Sequence, residues 1–218
     1  MLFRDRADAG RQLLARLDAY RGRPGLLVLG LPRGGVPVAD EVARGLGAPL
    51  DVFVVRKLGV PGQEELAMGA IATGGVRVVN HDVVRALGLT AEMLDQAAAA
   101  EGRELDRRQR SYRGQRPEPA IAGRTVILVD DGLATGSTMR AAVAALRLQG
   151  PARLVVAVPV AAPATCAELA REVDEIVCCA TPEPFLSVGR FYDDFAQTSD
   201  EEVTERLAAA RAREALSS

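Results

Sequence analysis

The sequence predicts an α/β protein: a Rossmann-like, mostly parallel central sheet with helices on both faces. Three observations carry that expectation. Apolar runs of strand length alternate with stretches of helical periodicity along the whole chain, the pattern of repeated βαβ units. The strands Leu26–Leu31, Thr125–Asp130 and Arg153–Pro159 are continuously apolar through their middles, as strands covered on both faces must be. No run approaches the ~20 apolar residues of a spanning helix, so these runs belong to a core and no membrane is expected as a partner.

In order, Arg6–Tyr20 has apolar residues at helical spacing and stops at the Gly/Pro break Gly22–Gly25. Leu26–Leu31 is the first strand, Val36–Leu46 a helix and Asp51–Val55 a second strand. Lys57–Leu66, rich in Gly, Pro and polar residues, reads as a loop, and Gly69–Thr73 and Val76–Val79 as short strands. Thr90–Tyr112 is one long helix, Ala-rich and then Arg-rich, and Gly114–Gly123 is a loop. The central strand Thr125–Asp130 is followed by helix Met139–Leu148, strand Arg153–Pro159, a helix near Ala164–Arg171 and strand Glu175–Ala180. An irregular aromatic segment, Thr181–Phe195, leads to Ser199-Asp200-Glu201-Glu202, a capping box that opens a last helix toward Leu216. Neither a repeat nor a linker divides the 218 residues, so 1–218 is one domain: a core over about 1–180, a segment over about 181–198 and a helix over about 199–216.

Composition removes several functions. A formal net charge of −2 supplies no basic field for nucleic acid. Met1–Arg6 lacks the apolar core of a signal peptide, so a cytoplasmic protein is expected. Three cysteines, Cys166, Cys178 and Cys179, form neither a disulfide framework nor a zinc spacing, and the last two read as small apolar residues of a buried strand. The single histidine, His81, reads as a cap or surface residue, which leaves no Ser-His-Asp triad. The six arginines of residues 103–116 alternate with Glu104 and Asp106 in the manner of a solvated, ion-paired helix face.

The chemistry concentrates in residues 126–138, Val-Ile-Leu-Val-Asp-Asp-Gly-Leu-Ala-Thr-Gly-Ser-Thr. A buried strand delivers Asp130 and Asp131 to its C-terminal end, and a Gly/hydroxyl turn runs straight into a helix. The backbone N–H groups of Thr135, Gly136, Ser137 and Thr138 then sit at a helix N-terminus, where unpaired donors and the positive dipole end suit a phosphate. The two carboxylates repel phosphate and suit what is attached to it: sugar hydroxyls, magnesium, or both. A phosphorylated sugar fits that combination. Leu31-Pro32-Arg33-Gly34-Gly35 is a second strand-to-helix junction, with two glycines for close approach and one guanidinium. Arg56-Lys57 follows the second strand at the same sheet edge.

The 126–138 segment resembles the phosphoribosyl-pyrophosphate (PRPP) motif of the type I phosphoribosyltransferases. Leu31–Val36 and Val55–Gly59 further resemble a little-characterised bacterial branch of that family. The resemblance implies the family's fold, with a small C-terminal hood over about 181–198, and transfer of 5-phosphoribosyl from PRPP to a nitrogenous acceptor, of which a purine-type base is one candidate. It implies that Asp130 and Asp131 hold the ribose hydroxyls and Mg2+. Gly132, Ala134, Thr135, Gly136, Ser137 and Thr138 cradle the 5′-phosphate, and Gly34, Gly35 and Arg56 complete the PRPP site. Arg33 and Lys57, with the two aspartates, are the implied catalytic set. Lys57–Ala67 becomes a lid with Gly59 and Gly62 as flexible points and Glu64 and Glu65 as magnesium or base contacts. Phe185, Phe191 or Tyr192 stacks on the base, and Asp193 or Asp194 meets it. The family's habits imply a homodimer. They also include PRPP-binding regulators without turnover, and a PRPP-forming kinase shares a similar motif, although it needs an ATP site.

Overall fold

The computed structural model describes residues 2–217, apart from the side chains of Glu64, Glu65 and Ser217. Five parallel strands form the central sheet: β1 (Leu26–Gly30), β2 (Leu50–Val52), β6 (Thr125–Val129), β7 (Arg153–Val160) and β8 (Glu175–Ala180), in the order β2-β1-β6-β7-β8. The register aligns Leu29 with Asp51 and Leu128, and Leu128 with Val156. Alternation along the strands divides the core. Val28, Ile127, Val129 and Val155 face α1 (Arg6–Arg16), α2 (Gly35–Leu46) and α7 (Asp200–Ser217). Leu27, Leu29, Val126, Leu128 and Val156 face α5 (Ser137–Leu148) and α6 (Pro163–Leu169). Each such side chain removed from water contributes roughly 1.5–3 kcal/mol, which is why these runs tolerate no polar residue.

Ionic contacts orient the outer helices. Asp40 of α2, 6% exposed, accepts from Arg206 at 3.4 Å and from Arg213, both on α7. Ser199 opens α7: its Oγ accepts the Glu202 N–H at 3.1 Å, while the Glu202 carboxylate turns to Arg206 instead of closing the box. Ser199→Ala is expected to cost about 1 kcal/mol, read as a lower denaturation midpoint at unchanged slope.

Between β2 and β6 the chain departs from expectation. The second strand ends at Val52, and Val55 opens β3 (Val55–Val60), which leaves the central sheet. With β4 (Gln63–Ala72) and β5 (Val76–Val79) it forms an antiparallel three-stranded sheet. The expected loop 57–66 is therefore most of a hairpin. Leu58, Val60, Met68 and Ile71 join the core from it, a bulge at Gly59 breaks the register, and Pro61-Gly62, with Gly62 at φ +79°, makes the two-residue turn. The hairpin packs on α4 (Ala91–Arg113) and reaches α5. Asn80 caps α3 (His81–Ala86), so His81 is an exposed first-turn residue. β8 is an edge strand, and Cys178 and Cys179 are half-buried rather than enclosed. Among the described residues, no helix is long and apolar enough to cross a membrane.

From β1 the chain winds outward through α2 to β2, and from β6 it winds the other way through α5, β7 and α6 to β8. The direction reverses between β1 and β6, so a crevice opens at their C-terminal ends.

Candidate active site

Two loops meet in that crevice. The first, Leu31–Gly34, turns from β1 into α2, and its Pro32–Arg33 peptide is cis. The second, Asp130–Gly136, turns from β6 into α5. They touch at the glycines. A Cβ on Gly34 would stand 2.0 Å from Asp131 Oδ2, and one on Gly35 would stand 2.7 Å from the Val129 carbonyl oxygen and 2.9 Å from Asp130 Cα. A side chain at Gly35 would have to displace the backbone at the end of β6, and one at Gly34 would have to displace the Asp131 carboxylate. The structure thus brings together Gly34, Gly35, Asp130 and Asp131.

The turn after the acids is held by its carbonyl groups. Leu133 N–H donates to Val160 O, Ala162 N–H to Leu133 O, Thr165 Oγ1 to Ala134 O at 2.6 Å and Arg140 to Thr135 O. Gly136 takes φ +70° at the helix N-cap, where Thr165 approaches within 2.6 Å of where its Cβ would be. With the carbonyls engaged, the N–H groups of Thr135, Gly136, Ser137 and Thr138 donate to no acceptor among the described residues, and no side chain caps α5. The side chains of Thr135, Ser137 and Thr138 are exposed beside them. This is an open, dipole-favoured anion cradle.

The acidic pair is electrostatically loaded. Burial, and then the Asp131 charge, push Asp130 well above the ordinary carboxyl value; Asp131 N–H donates to Asp130 Oδ1 at 2.9 Å in partial relief. Burial likewise raises Asp131, opposed by a partner that sequence reasoning missed. Arg6, at the start of α1, donates to Asp131 Oδ2 at 2.8 Å and to Ala196 O at 2.6 Å, with its guanidinium 3.9 Å from the Phe195 ring centre. No local signal marks Arg6, because its partner is 125 residues away.

The hood is closed by the N-terminus. Phe3 bridges Tyr192, and the Asp193 and Asp194 N–H groups donate to Phe3 O and Arg4 O. Val188 lies over Gly132, where a Cβ would meet it at 2.6 Å. Tyr192 is corrected from base-stacking candidate to core residue: it is 2% exposed, lies between Phe3 and Phe195, and donates to Asp131 O at 2.6 Å. Phe185 and Phe191 remain half-buried, paired at 5.3 Å beside the exposed Leu186. Asp193 is exposed, and Asp194 accepts the Ala196 N–H.

Other residues stand apart from the crevice contacts. Arg56 is committed to Glu101 of α4 at 2.6 Å, an ion pair that removes it as a free anion ligand. Lys57 is exposed on β3 opposite Ala70. Arg33 is half-buried with no hydrogen bond or ion pair among the described residues, and its charge is felt at Tyr112 and Glu201. The side chains of Glu64 and Glu65 lie outside the described residues.

The family model of the phosphoribosyl transferase domain matches residues 3–194. A Mycobacterium tuberculosis protein named "Putative phosphoribosyl transferase Rv0571c" is 52% identical over 202 residues, which cover 93% of this chain and 45% of that protein. The chain therefore spans less than half the length of this curated relative. The crystal structure of TT1426 from Thermus thermophilus superposes with a TM-score of 0.86 at 45% identity, covering 96% of this chain and 99% of that one.

Proposed function

The chain belongs to the phosphoribosyl transferase domain family, and from that premise we propose that it moves the 5-phosphoribosyl group of PRPP onto a nitrogen of a small acceptor, releasing pyrophosphate. One observation carries the proposal: two carboxyl groups stand directly before the open N-terminus of α5, in a crevice floored by Gly34 and Gly35.

In this reading the N–H groups of Thr135–Thr138 take the 5′-phosphate, and Asp130 and Asp131 accept the ribose hydroxyls. The bond from the anomeric carbon to pyrophosphate breaks with its electron pair leaving on pyrophosphate, and a bond to the acceptor nitrogen forms. Arg33, with no competing partner among the described residues, meets the departing charge, and Lys57 approaches from the β3–β4 hairpin. The Phe185–Phe191 pair gives the hood an apolar patch suited to a planar, purine-type acceptor.

Magnesium fits the donor set. A crowded pair of carboxyls suits a cation that takes one or two carboxylates and completes its shell with substrate oxygens and water. No group of three or more His, Cys, Asp or Glu among the described residues forms an all-protein cage. When bound at Asp130 and Asp131, the ion neutralises phosphate charge.

The test is pyrophosphate release from PRPP and MgCl2 against purine, pyrimidine and other nitrogen acceptors. Acceptor-dependent release is expected. Saturable PRPP binding with no release by any acceptor would replace the transferase with a PRPP-binding regulator. Arg6 gives a narrower prediction. Its charge lowers the proton affinity of Asp131, so Arg6→Gln should raise it. PRPP should then bind about 10-fold more weakly by calorimetry, equivalent to roughly 1.4 kcal/mol. The acid limb of kcat/KM for PRPP should move to higher pH; an unmoved limb would assign Arg6 to hood packing alone.

A further inference from the structure

At the opposite edge of the sheet, where the parallel strands begin, four guanidinium groups line one cavity of about 240 Å3. Arg113 ends α4, Arg116 follows it, Arg124 precedes β6 and Arg211 lies on α7. Three of them are fixed by the protein. Arg113, 4% exposed, donates to Asp51 at 2.8 Å and to Val52 O at 2.5 Å. Arg124 donates to Leu26 O at 2.9 Å and Gly25 O at 3.2 Å. Arg211 donates to Tyr112 O at 3.0 Å. The Arg116 guanidinium has no hydrogen bond or ion pair among the described residues and is exposed at the mouth.

The carboxylates on the same lining are Asp51 and Glu214, and Glu118 stands 4.0 Å from Arg113 beside it, so four positive charges face three negative ones. The excess is felt by the groups themselves: burial, and then the charge of Arg116, hold Arg211 below the usual arginine range. Gathered like charges repel, so an anion that joins the group relieves the part its own carboxylates leave uncompensated. Backbone carbonyls hold two of the forks in place, which lowers the entropy lost when they bind. The surplus charge and the Arg116 fork, which has no partner among the described residues, suit a phosphate, the group that guanidinium forks bind in bidentate fashion. The cavity falls short of the roughly 300–1,000 Å3 of sites for larger ligands, so it admits a phosphate with a short organic part.

We infer that this cavity is a second anion site, remote from the candidate active site, for a phosphate dianion either free or carried on a small monoester.

The test is calorimetric titration of the full chain with inorganic phosphate at 0.15 M ionic strength (a Debye length of about 8 Å, which suppresses diffuse charge effects). The parent should bind two phosphates per chain, one at the α5 turn and one in the cavity. Arg116→Gln with Arg211→Gln should lose one of them, or weaken it at least about 10-fold. Ser137→Asp, which places a carboxylate in the α5 turn, should lose the other. Arg116→Glu, at an exposed position, repeats the first result without touching a fixed side chain, and melting curves check that it folds. A parallel titration with ribose 5-phosphate separates the sources: tighter binding than phosphate, sensitive to Arg116→Glu, assigns a monoester, and weaker binding assigns the free ion. The inference fails if the arginine variants bind as many phosphates as the parent, or if Ser137→Asp removes all binding. A Ser137→Asp variant with an unchanged phosphate count would instead count against the phosphate cradle at the α5 turn, leaving the cavity to be judged on the arginine variants.

Discussion

Replacing Asp130 and Asp131 together by Asn is expected to lower kcat/KM for PRPP by about 1000-fold or more and, at the same time, to raise the melting temperature. The first effect follows from charge. Asn keeps the shape but exchanges two charged acceptors for neutral amides, and each lost charge-assisted bond costs roughly 1.5–3 kcal/mol. Two of them total about 4 kcal/mol, or three decades in rate. The second effect follows from proton linkage. Burial and mutual repulsion raise the folded-state value of Asp130, and burial raises that of Asp131, above those of an unfolded chain. Between the unfolded value of about 3.9 and the raised folded value, the native state binds more protons than the unfolded one. Stability therefore falls as pH rises through that window, and the full cost persists above it. Asn has no such cost. The variant should melt above the parent at pH 8, and the difference should close below about pH 3, where both carboxyls are largely protonated in either state. Melting curves at the two pH values check the sign, and a variant less stable at pH 8 would contradict it.

Gly35→Ala should damage fold and site together. The obstacles to its methyl are backbone atoms of the β6 terminus, which cannot rotate away. Overpacking of this kind costs about 2 kcal/mol, a fall of about 6 °C in a chain of this size. The relief available is displacement of the strand end that carries Asp130, and a misplacement near 1 Å is enough to weaken PRPP turnover about 100-fold. Gly34→Ala makes the contrast. Its obstacles are the Asp131 carboxylate and Arg6 Nε, which are side-chain groups, so activity should fall while the melting temperature changes little. Unchanged melting in Gly35→Ala would mean that α2 can slide away from β6.

The parts legible in the sequence are those in which one physical requirement dominates. β1, β6 and β7 are covered on both faces, so their apolar runs admit no other reading. The acids, the turn and α5 are contiguous, and local chemistry alone places them. The β3–β4 hairpin is obscured because Arg56, Lys57, Gly59 and the polar run Gln63-Glu64-Glu65 interrupt its pattern, although Pro61-Gly62 after Val60 is an available turn signal. Tyr192 reads as a ligand group from the family resemblance, since an aromatic in an irregular segment gives no sign that Phe3 covers it. Arg6 was illegible for a stricter reason: its role exists only once the first turn of α1 lies beside a residue far down the chain.

The pairing of residues 2–4 with residues 191–194 has a mechanical consequence. A cover over an active site is usually hinged at the two ends of one loop. Here the cover is riveted at a third point, and the rivet continues into α1, whose Arg6 grips the Asp131 carboxylate while Tyr192 holds the main-chain carbonyl of the same residue. Wall and floor are therefore one rigid piece, and to lift the hood is to pull on Asp131. The β3–β4 arm, in contrast, stands outside the central sheet, attached by pairing to β5 and by packing to α4 and α5.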